Sequence, residues 1–320
     1  MDIIAFLHDD AWDNPFFKRL SKNDTGDAPG HQGGLVIPKD LRPYFPVLSG
    51  GVTSSSPTID YSIQTELYIG LDRIASVSTR YQFQTWGGTR SPESRITGGL
   101  GPIRNKAAKD DILIFQRSID NLNCYRMILV KQNMTAYSQL QHILNTRGWG
   151  TVFDVLPVTQ SDLNQFEKEE SKLESKPFKL FEDEHKTVEI KTIKKARSIV
   201  FRNTIRKIYN NNCAICNTGL VTTSGIYEVQ ASHIVPKRLN GSDDARNGLA
   251  LCQRHHWAFD NGLLGIDENY KIIIPKRVLS LSQNHILEKL SQKEISKPSN
   301  TNLIPDLSAL AWHRDNILVS

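Results

Sequence analysis

The sequence predicts a two-domain α+β protein, β-rich in its N-terminal half and folded around a metal in its C-terminal half. Two observations carry that prediction. Short β-rich runs lie between clusters of Gly, Pro, Ser and Asp: Glu66-Leu-Tyr-Ile-Gly-Leu, Ser78 to Trp86, Asp111-Ile-Leu-Ile-Phe115 and Tyr125-Arg-Met-Ile-Leu-Val130. This is the pattern of an all-β barrel or sandwich. Downstream, Cys213 and Cys216 form a C-x-x-C pair, and Cys252 with His255 forms a C-x-x-H pair. Two close pairs of soft ligands separated by a longer loop have the spacing of a closed, structural Zn2+ site.

The order of elements follows from composition. Residues 1–157 read as the β domain, 158–191 as a charged linker or helix, and 192–320 as the metal-bearing domain. Gln165 to Lys176 is almost all polar, so a solvated helix or linker is expected there. From Thr192, a basic segment through Tyr209 has apolar residues at helical spacing and leads into the first cysteine pair. Tyr270 to Pro275 reads as a strand, and Leu310 to Arg314 as a closing element in which a packed Trp312 with a surface Arg314 is the preferred reading, and contact of His313 and Arg314 with DNA phosphate the alternative. Cys124 stands alone in an apolar run and reads as core.

At 320 residues the chain can bury a core in each half. A net charge of +5 and a pI near 8.9 permit a nucleic-acid partner without requiring one. No apolar run is long enough to span a bilayer and no secretory signal is present, so a soluble, cytoplasmic protein is expected, without membrane and without a disulfide framework.

The segment between the two ligand pairs holds the chemistry. Tyr227 to Pro236 reads as a strand carrying His233, followed by a turn through Asp243 and Asp244 and a second strand from Asn247 into Cys252. Gln253 to Asp260 reads as a helix. On it, His256 and Asp260 stand four apart, so both project from one face and can grip one divalent cation. Singly, His233 reads better as a core histidine, Asn247 before Gly248 as a turn, His256 as a partner of the zinc ligands and Asp260 as a helix C-terminal feature. Their combination with the zinc pairs is what singles them out.

His233, Asn247 and His256, in this order and framed by zinc pairs, resemble the HNH nuclease motif of the ββα-metal family. The resemblance implies that His233 is the general base that activates water, that Asn247 holds the loop bearing it, and that His256 ligates a catalytic Mg2+ or Mn2+. Asp260 is an added candidate for a second ligand. Many HNH proteins have an Asp or His ligand just before the base, where this chain has Ser232.

Two polar loops in the β half carry a second resemblance. The first runs through Lys18-Arg19-Leu-Ser21-Lys22-Asn23-Asp24-Thr25-Gly26, Gly30-His31-Gln32 and Leu35-Val-Ile-Pro38; the second through Gly88-Thr89-Arg90 to Glu93-Ser94-Arg95-Ile96-Thr97. Both resemble the DNA-recognising N-terminal domain of the EcoRII restriction enzyme, over roughly residues 10 to 120. The resemblance implies a pseudobarrel of the plant B-three type, whose two loops enter the major groove of double-stranded DNA. Arg19, Asn23, Asp24, His31, Arg90, Glu93 and Arg95 have the donors and acceptors to read bases, and Lys18, Ser21 and Lys22 those to hold phosphate.

Together these resemblances imply a type II restriction endonuclease. One HNH site cuts one strand, so a homodimer on DNA is expected, and a cognate DNA methyltransferase by analogy. A modification-dependent nuclease and a DNA-binding regulator with a retained nuclease fold are the two other readings of the same residues.

Overall fold

A computed structural model of the chain describes residues 2–27, 34–48, 51–53, 55–85, 91–182, 191–223 and 225–318. They form two units: residues 1–162 with 191–193, and residues 163–190 with 194–320.

Among the described residues the N-terminal unit is built on eight strands: β1 (Phe16–Arg19), β2 (Leu35–Ile37), β3 (Thr58–Ile69), β4 (Asp72–Gln84), β5 (Glu93–Thr97), β6 (Ile112–Arg117), β7 (Cys124–Val130) and β8 (Trp149–Thr151). They lie in the order β2-β5-β4-β3-β7-β6-β1-β8. Neighbours are antiparallel except β3 and β7, which run parallel from Gln64↔Cys124 to Ile69↔Leu129.

Side chains alternate between the faces of a strand, and β1, β6 and β7 are apolar on both. Phe16, Leu113, Phe115, Met127 and Leu129 enter one core cluster; Phe17, Ile112, Ile114, Ile128 and Val130 enter another. The unit's helices are α1 (Ile3–Leu7), α2 (Lys22–Thr25), α3 (Gly101–Arg104) and α4 (Thr135–Leu144). Ile3 and Leu7 of α1 and Leu140 and Leu144 of α4 cover the second cluster. Cys124 is fully buried on β7, as its apolar setting predicts.

Six strand intervals separate β2 from β1, which in a flat sheet is roughly 29 Å. Yet Lys18 Nζ on β1 donates to the carbonyl of Val36 on β2 at 2.6 Å. The sheet is therefore curled into a half-barrel, and the first cluster fills its hollow. There Phe45 stacks between Tyr81 and Tyr125, with ring centroids 4.7 and 5.3 Å away.

The C-terminal unit is mixed. Its elements are α5 (Gln160–Ser171), α6 (Lys191–Ile208), β9 (Gln230–His233), β10 (Gly248–Leu251), α7 (Gln253–Asp260), β11 (Gly265–Ile266), β12 (Ile272–Ile273), α8 (Lys276–Leu279) and α9 (Leu307–Asn316), the first two beginning at residues assigned to the other unit. In α6, Ala196, Ile199, Val200, Ile205 and Ile208 recur at helical spacing and are buried. The first part of the polar stretch, Gln165 to Ser171, belongs to α5, which is anchored by buried Leu163 and Phe166.

The expected strand from Tyr270 to Pro275 shrinks to two residues. Tyr270 takes a left-handed conformation at φ 60°, and Pro275 caps α8, so neither end can extend the ladder. The closing element is α9. His313 is buried, stacks on Phe259 at 3.7 Å and donates from Nε2 to the Phe259 carbonyl, while Arg314 donates to the carbonyl of Ile266. Both side chains serve packing, in line with the preferred reading of a packed closing element over contact with phosphate. No helix among the described residues is long and apolar enough to cross a membrane.

Candidate active site and metal centre

The metal cage forms because two turns bring its donors to one place. Cys213 follows α6 and donates its amide to Thr218 O, which folds the first pair into a knuckle; Cys252 caps the N-terminus of α7, so His255 lies one turn inside the helix. One donor atom from each of Cys213, Cys216, Cys252 and His255 lies within 4.8 Å of every other. His255 Nδ1 is 3.4 Å from Cys213 Sγ and 3.2 Å from Cys252 Sγ.

Burial pushes the Cys213 thiol up to about 12. Burial and the nearby Arg254 lower His255, keeping its imidazole neutral. Three crowded sulfurs and a neutral imidazole suit a thiophilic tetrahedral cation, whose charge stabilises the thiolates. The four residues fit zinc, and all four were legible from spacing alone.

The reactive side chains are placed by the ladder beside this cage. β9 pairs antiparallel with β10, setting His233 opposite Gly248. A Cβ on Gly248 would meet Ile205 Cδ1 at 2.4 Å and Phe201 Cζ at 2.9 Å. Its absence lets α6 press against the ladder, and the Phe201 ring stacks on the His233 imidazole at 3.9 Å and 10°.

Asn247 precedes β10 and is fully buried. Its Oδ1 accepts from Val235 N at 2.9 Å, and its Nδ2 donates to the carbonyls of Val235 (3.2 Å) and Ser242 (2.8 Å). One side chain thus ties both ends of the loop that leaves His233.

On α7, His256 Nε2 lies 3.4 Å from Asp260 Oδ2. His256 Nδ1 lies 2.8 Å from Gln230 Oε1. An amide oxygen can only accept, so Nδ1 carries the proton and Nε2 keeps its lone pair beside the carboxylate. Burial lowers the His256 pKa, opposed by Asp260 and assisted by Arg202, which favours the neutral, ligating form. Ser232 Oγ donates to Asp260 Oδ1 at 3.4 Å. A nitrogen and a carboxylate oxygen at one spot fit a hard divalent cation that takes its remaining ligands from water and phosphate.

His233, His256 and Asp260 line one cleft of about 300 Å³, with Lys237 and Arg238 on its wall. Several residues of this site escaped the sequence reading. Gln230 and Lys237 carried no signal there; Asp243 appeared only as part of a turn and Phe201 only as part of a helix. The alternation Gln230, Ser232 on one strand offered a hint of Gln230, since it lies on the strand that bears His233.

Residues 213–267 match the family described as HNH endonuclease. The chain carries an HNH endonuclease domain. The HNH domain unites the strand, strand and helix with the Cys3His cage, and its family implies a metal-dependent nuclease. No curated protein matches the chain.

Three solved structures show partial likeness. The modification dependent TagI restriction endonuclease is 24% identical over 38% of this chain and 39% of its own, with a TM-score of 0.28. The N-terminal domain of Helicobacter pylori LlaJI.R1 is 14% identical over 44% of this chain and 98% of its own, at 0.31. The B3 domain of the UbaLAI restriction endonuclease, solved with cognate DNA, is 19% identical over 40% of this chain and 77% of its own, at 0.26.

The N-terminal candidates divide by exposure. Lys18 and Asp24 form a buried ion pair at 2.6 Å. The Asp24 carboxylate also accepts from the amides of Ser21 and Val36 and from Ser21 Oγ, so it closes the first loop onto β2. Arg19 bonds Tyr137, Gln141 and the carbonyls of Asn145 and Arg147. Arg95 is buried against Glu93 at 2.8 Å. Ser21, Lys22 and Asn23 face outward. His31 and Arg90 lie outside the described residues.

Proposed function

We propose that this chain is a site-specific type II restriction endonuclease, in which the curled sheet binds a short site in double-stranded DNA and the HNH domain hydrolyses the phosphodiester. The observation that carries the reading is the convergence of His233, His256 and Asp260 on one basic-walled cleft, beside a zinc-type cage.

In this reading a water molecule attacks phosphorus, its proton passes to His233 Nδ1, and the bond from phosphorus to the leaving oxygen breaks. The leaving oxygen then takes a proton from solvent. A neutral imidazole is suited to that transfer near neutral pH. Asn247 keeps the base at its post by tying residues 235 and 242. His256 and Asp260 would hold Mg2+ or Mn2+, which supplies positive charge to the phosphate as negative charge gathers there. Arg238 attracts the DNA backbone to the cleft.

At the sheet, Ser21, Lys22 and Asn23 are the outward candidates for DNA contact, and His31 and Arg90 are candidates on sequence alone. The Lys18–Asp24 pair shapes the loop that carries Ser21, Lys22 and Asn23. Two copies acting on the two strands would give a double-strand cut, so we propose a homodimer on DNA, protected in its host by a cognate methyltransferase.

Digestion of unmethylated phage DNA, with and without magnesium or manganese, tests the reading. Discrete fragments that require the cation support it. Cleavage confined to methylated DNA would replace it with a modification-dependent nuclease, and intact DNA of both kinds would overturn nuclease activity.

A further inference from the structure

Beyond the residues of the HNH motif, the loop after β9 contributes a carboxylate to the base. Asp243 Oδ1 lies 3.0 Å from His233 Nε2. The second oxygen of the same carboxylate, Oδ2, accepts from Lys237 Nζ at 2.6 Å, and Lys237 also pairs with Glu182. Both members of the His233–Asp243 pair are more than four-fifths shielded from solvent.

We propose that Asp243 is a positioning residue for the nuclease base, holding the His233 imidazole as the Nε2–H tautomer so that the Nδ1 lone pair is the one presented to water. The inference rests on the nuclease reading above and adds to it a residue outside the motif.

Three features support it. An ionised carboxylate can only accept, so the nitrogen facing it is the one that carries the proton. Burial works against ionisation of Asp243, yet its contacts with His233 and Lys237 hold the carboxyl below its usual range. Among the described residues no hydrogen-bond partner meets His233 Nδ1, and His233 lines the cleft that holds His256 and Asp260.

The remaining freedom of the ring is removed from other directions. Phe201 lies flat on one face and fixes its plane. Asn247 fixes the backbone at Val235 and Ser242, the stretch that carries Asp243 back to the histidine. The amide of Ser242 also donates to Leu180 O, and that of Glu182 to Asn240 O, so the carboxylate stands on a loop laced along both sides. Lys237 and Glu182 complete the charge row that faces Asp243, with Glu170 and Asp244 as the further acidic groups of its surroundings. A proton-accepting imidazole locked by a carboxylate needs no reorganisation when the reaction begins.

The test compares wild type, Asp243→Asn, Asp243→Glu and His233→Ala as zinc-loaded full-length proteins. The 15N spectrum of the histidine side chains, recorded at about pH 8.5 where an ordinary imidazole is neutral, reads the tautomer without any cleavage. Loss of the His233→Ala resonance assigns the signal.

The expected result is a predominant Nε2–H tautomer in wild type and a mixture in Asp243→Asn. Single-turnover cleavage by Asp243→Asn should fall on the order of 10²-fold, with DNA affinity within about twofold and partial recovery in Asp243→Glu. A predominant Nδ1–H tautomer in wild type, or wild-type cleavage by Asp243→Asn, overturns the proposal. Cleavage by His233→Ala at the wild-type rate would instead overturn the nuclease reading, and the two failures are told apart by which variant retains activity.

Discussion

His233 ends β9 with one ring nitrogen toward a carboxylate and its face against Phe201, so its role can be tested by removing the ring alone. His233→Ala should abolish nicking of supercoiled plasmid, while fluorescence anisotropy finds DNA affinity unchanged within about twofold. Equal loss of both would make the residue a binding contact. Asn247 has a different failure mode, because its removal strands three buried backbone groups at once. Asn247→Ala should cost about 2–3 kcal/mol in urea unfolding of the C-terminal unit and slow cleavage as well. A variant of unchanged stability would mean that water replaces the side chain. At this scale the four cage residues were legible from spacing, because paired zinc-type ligands need short separations along the chain, whereas His233, Asn247 and His256 were named through the resemblance to the HNH motif. Asp243 and Gln230 were legible from neither, since a carboxylate in a turn and a glutamine on a strand have many uses, and only folding shows which nitrogen each one faces.

At the scale of elements, the packing of α6 on the two-stranded ladder decides the setting of the His233 ring. Gly248→Ala should push Ile205 and Phe201 away, costing about 1–3 kcal/mol through overpacking and lowering cleavage without altering zinc content. Full activity would place the ring's alignment elsewhere. The contact between α5 and α6 makes a second prediction. Glu170 on α5 accepts from Thr204 Oγ1 on α6, its other oxygen meets no partner among the described residues, and burial raises its carboxyl to about 7. The folded state therefore holds this proton more tightly than the unfolded chain does. The corresponding stabilisation is complete below about 4.5 and disappears as pH rises through about 7. Glu170→Gln should thus be more stable than wild type at pH 8, on the order of 2 kcal/mol, and equal to it near pH 4.5 in urea midpoints. Equal midpoints at pH 8 would show that water reaches the carboxylate. The existence of α6 was plain from apolar spacing, whereas its partner was hidden. Sequence periodicity reports that a helix has a buried face and says nothing of what covers it.

For the whole molecule, stability should divide along the two units. Each has its own core: aromatic and aliphatic residues inside the curled sheet in one, and the cluster around α6, β10 and α7 in the other. The second also depends on the cage. Cys216→Ser, or removal of zinc by a strong chelator, should unfold the C-terminal unit, because metal binding and folding of such a cage share one free energy. Limited proteolysis should then degrade the region after about residue 194 and spare the sheet. A soluble variant with normal zinc content and nuclease activity would dismiss Cys216 as a ligand.

What the sequence determined by itself was local: the paired cysteine and histidine ligands, the alternation that makes strands and the apolar stripe of α6. Each depends on separations of a few residues, and a linear text preserves those. The tertiary structure decided what depends on distant partners. It curled the sheet so that Lys18 reaches Val36, which buried Lys18 with Asp24 inside the fold although both stood in a loop that reads as exposed. It brought Phe201 over His233, thirty-two positions away, and aimed His313 into the core at Phe259. Side-chain type fixes what a residue can do, and the neighbours assembled by packing decide which of those possibilities is used.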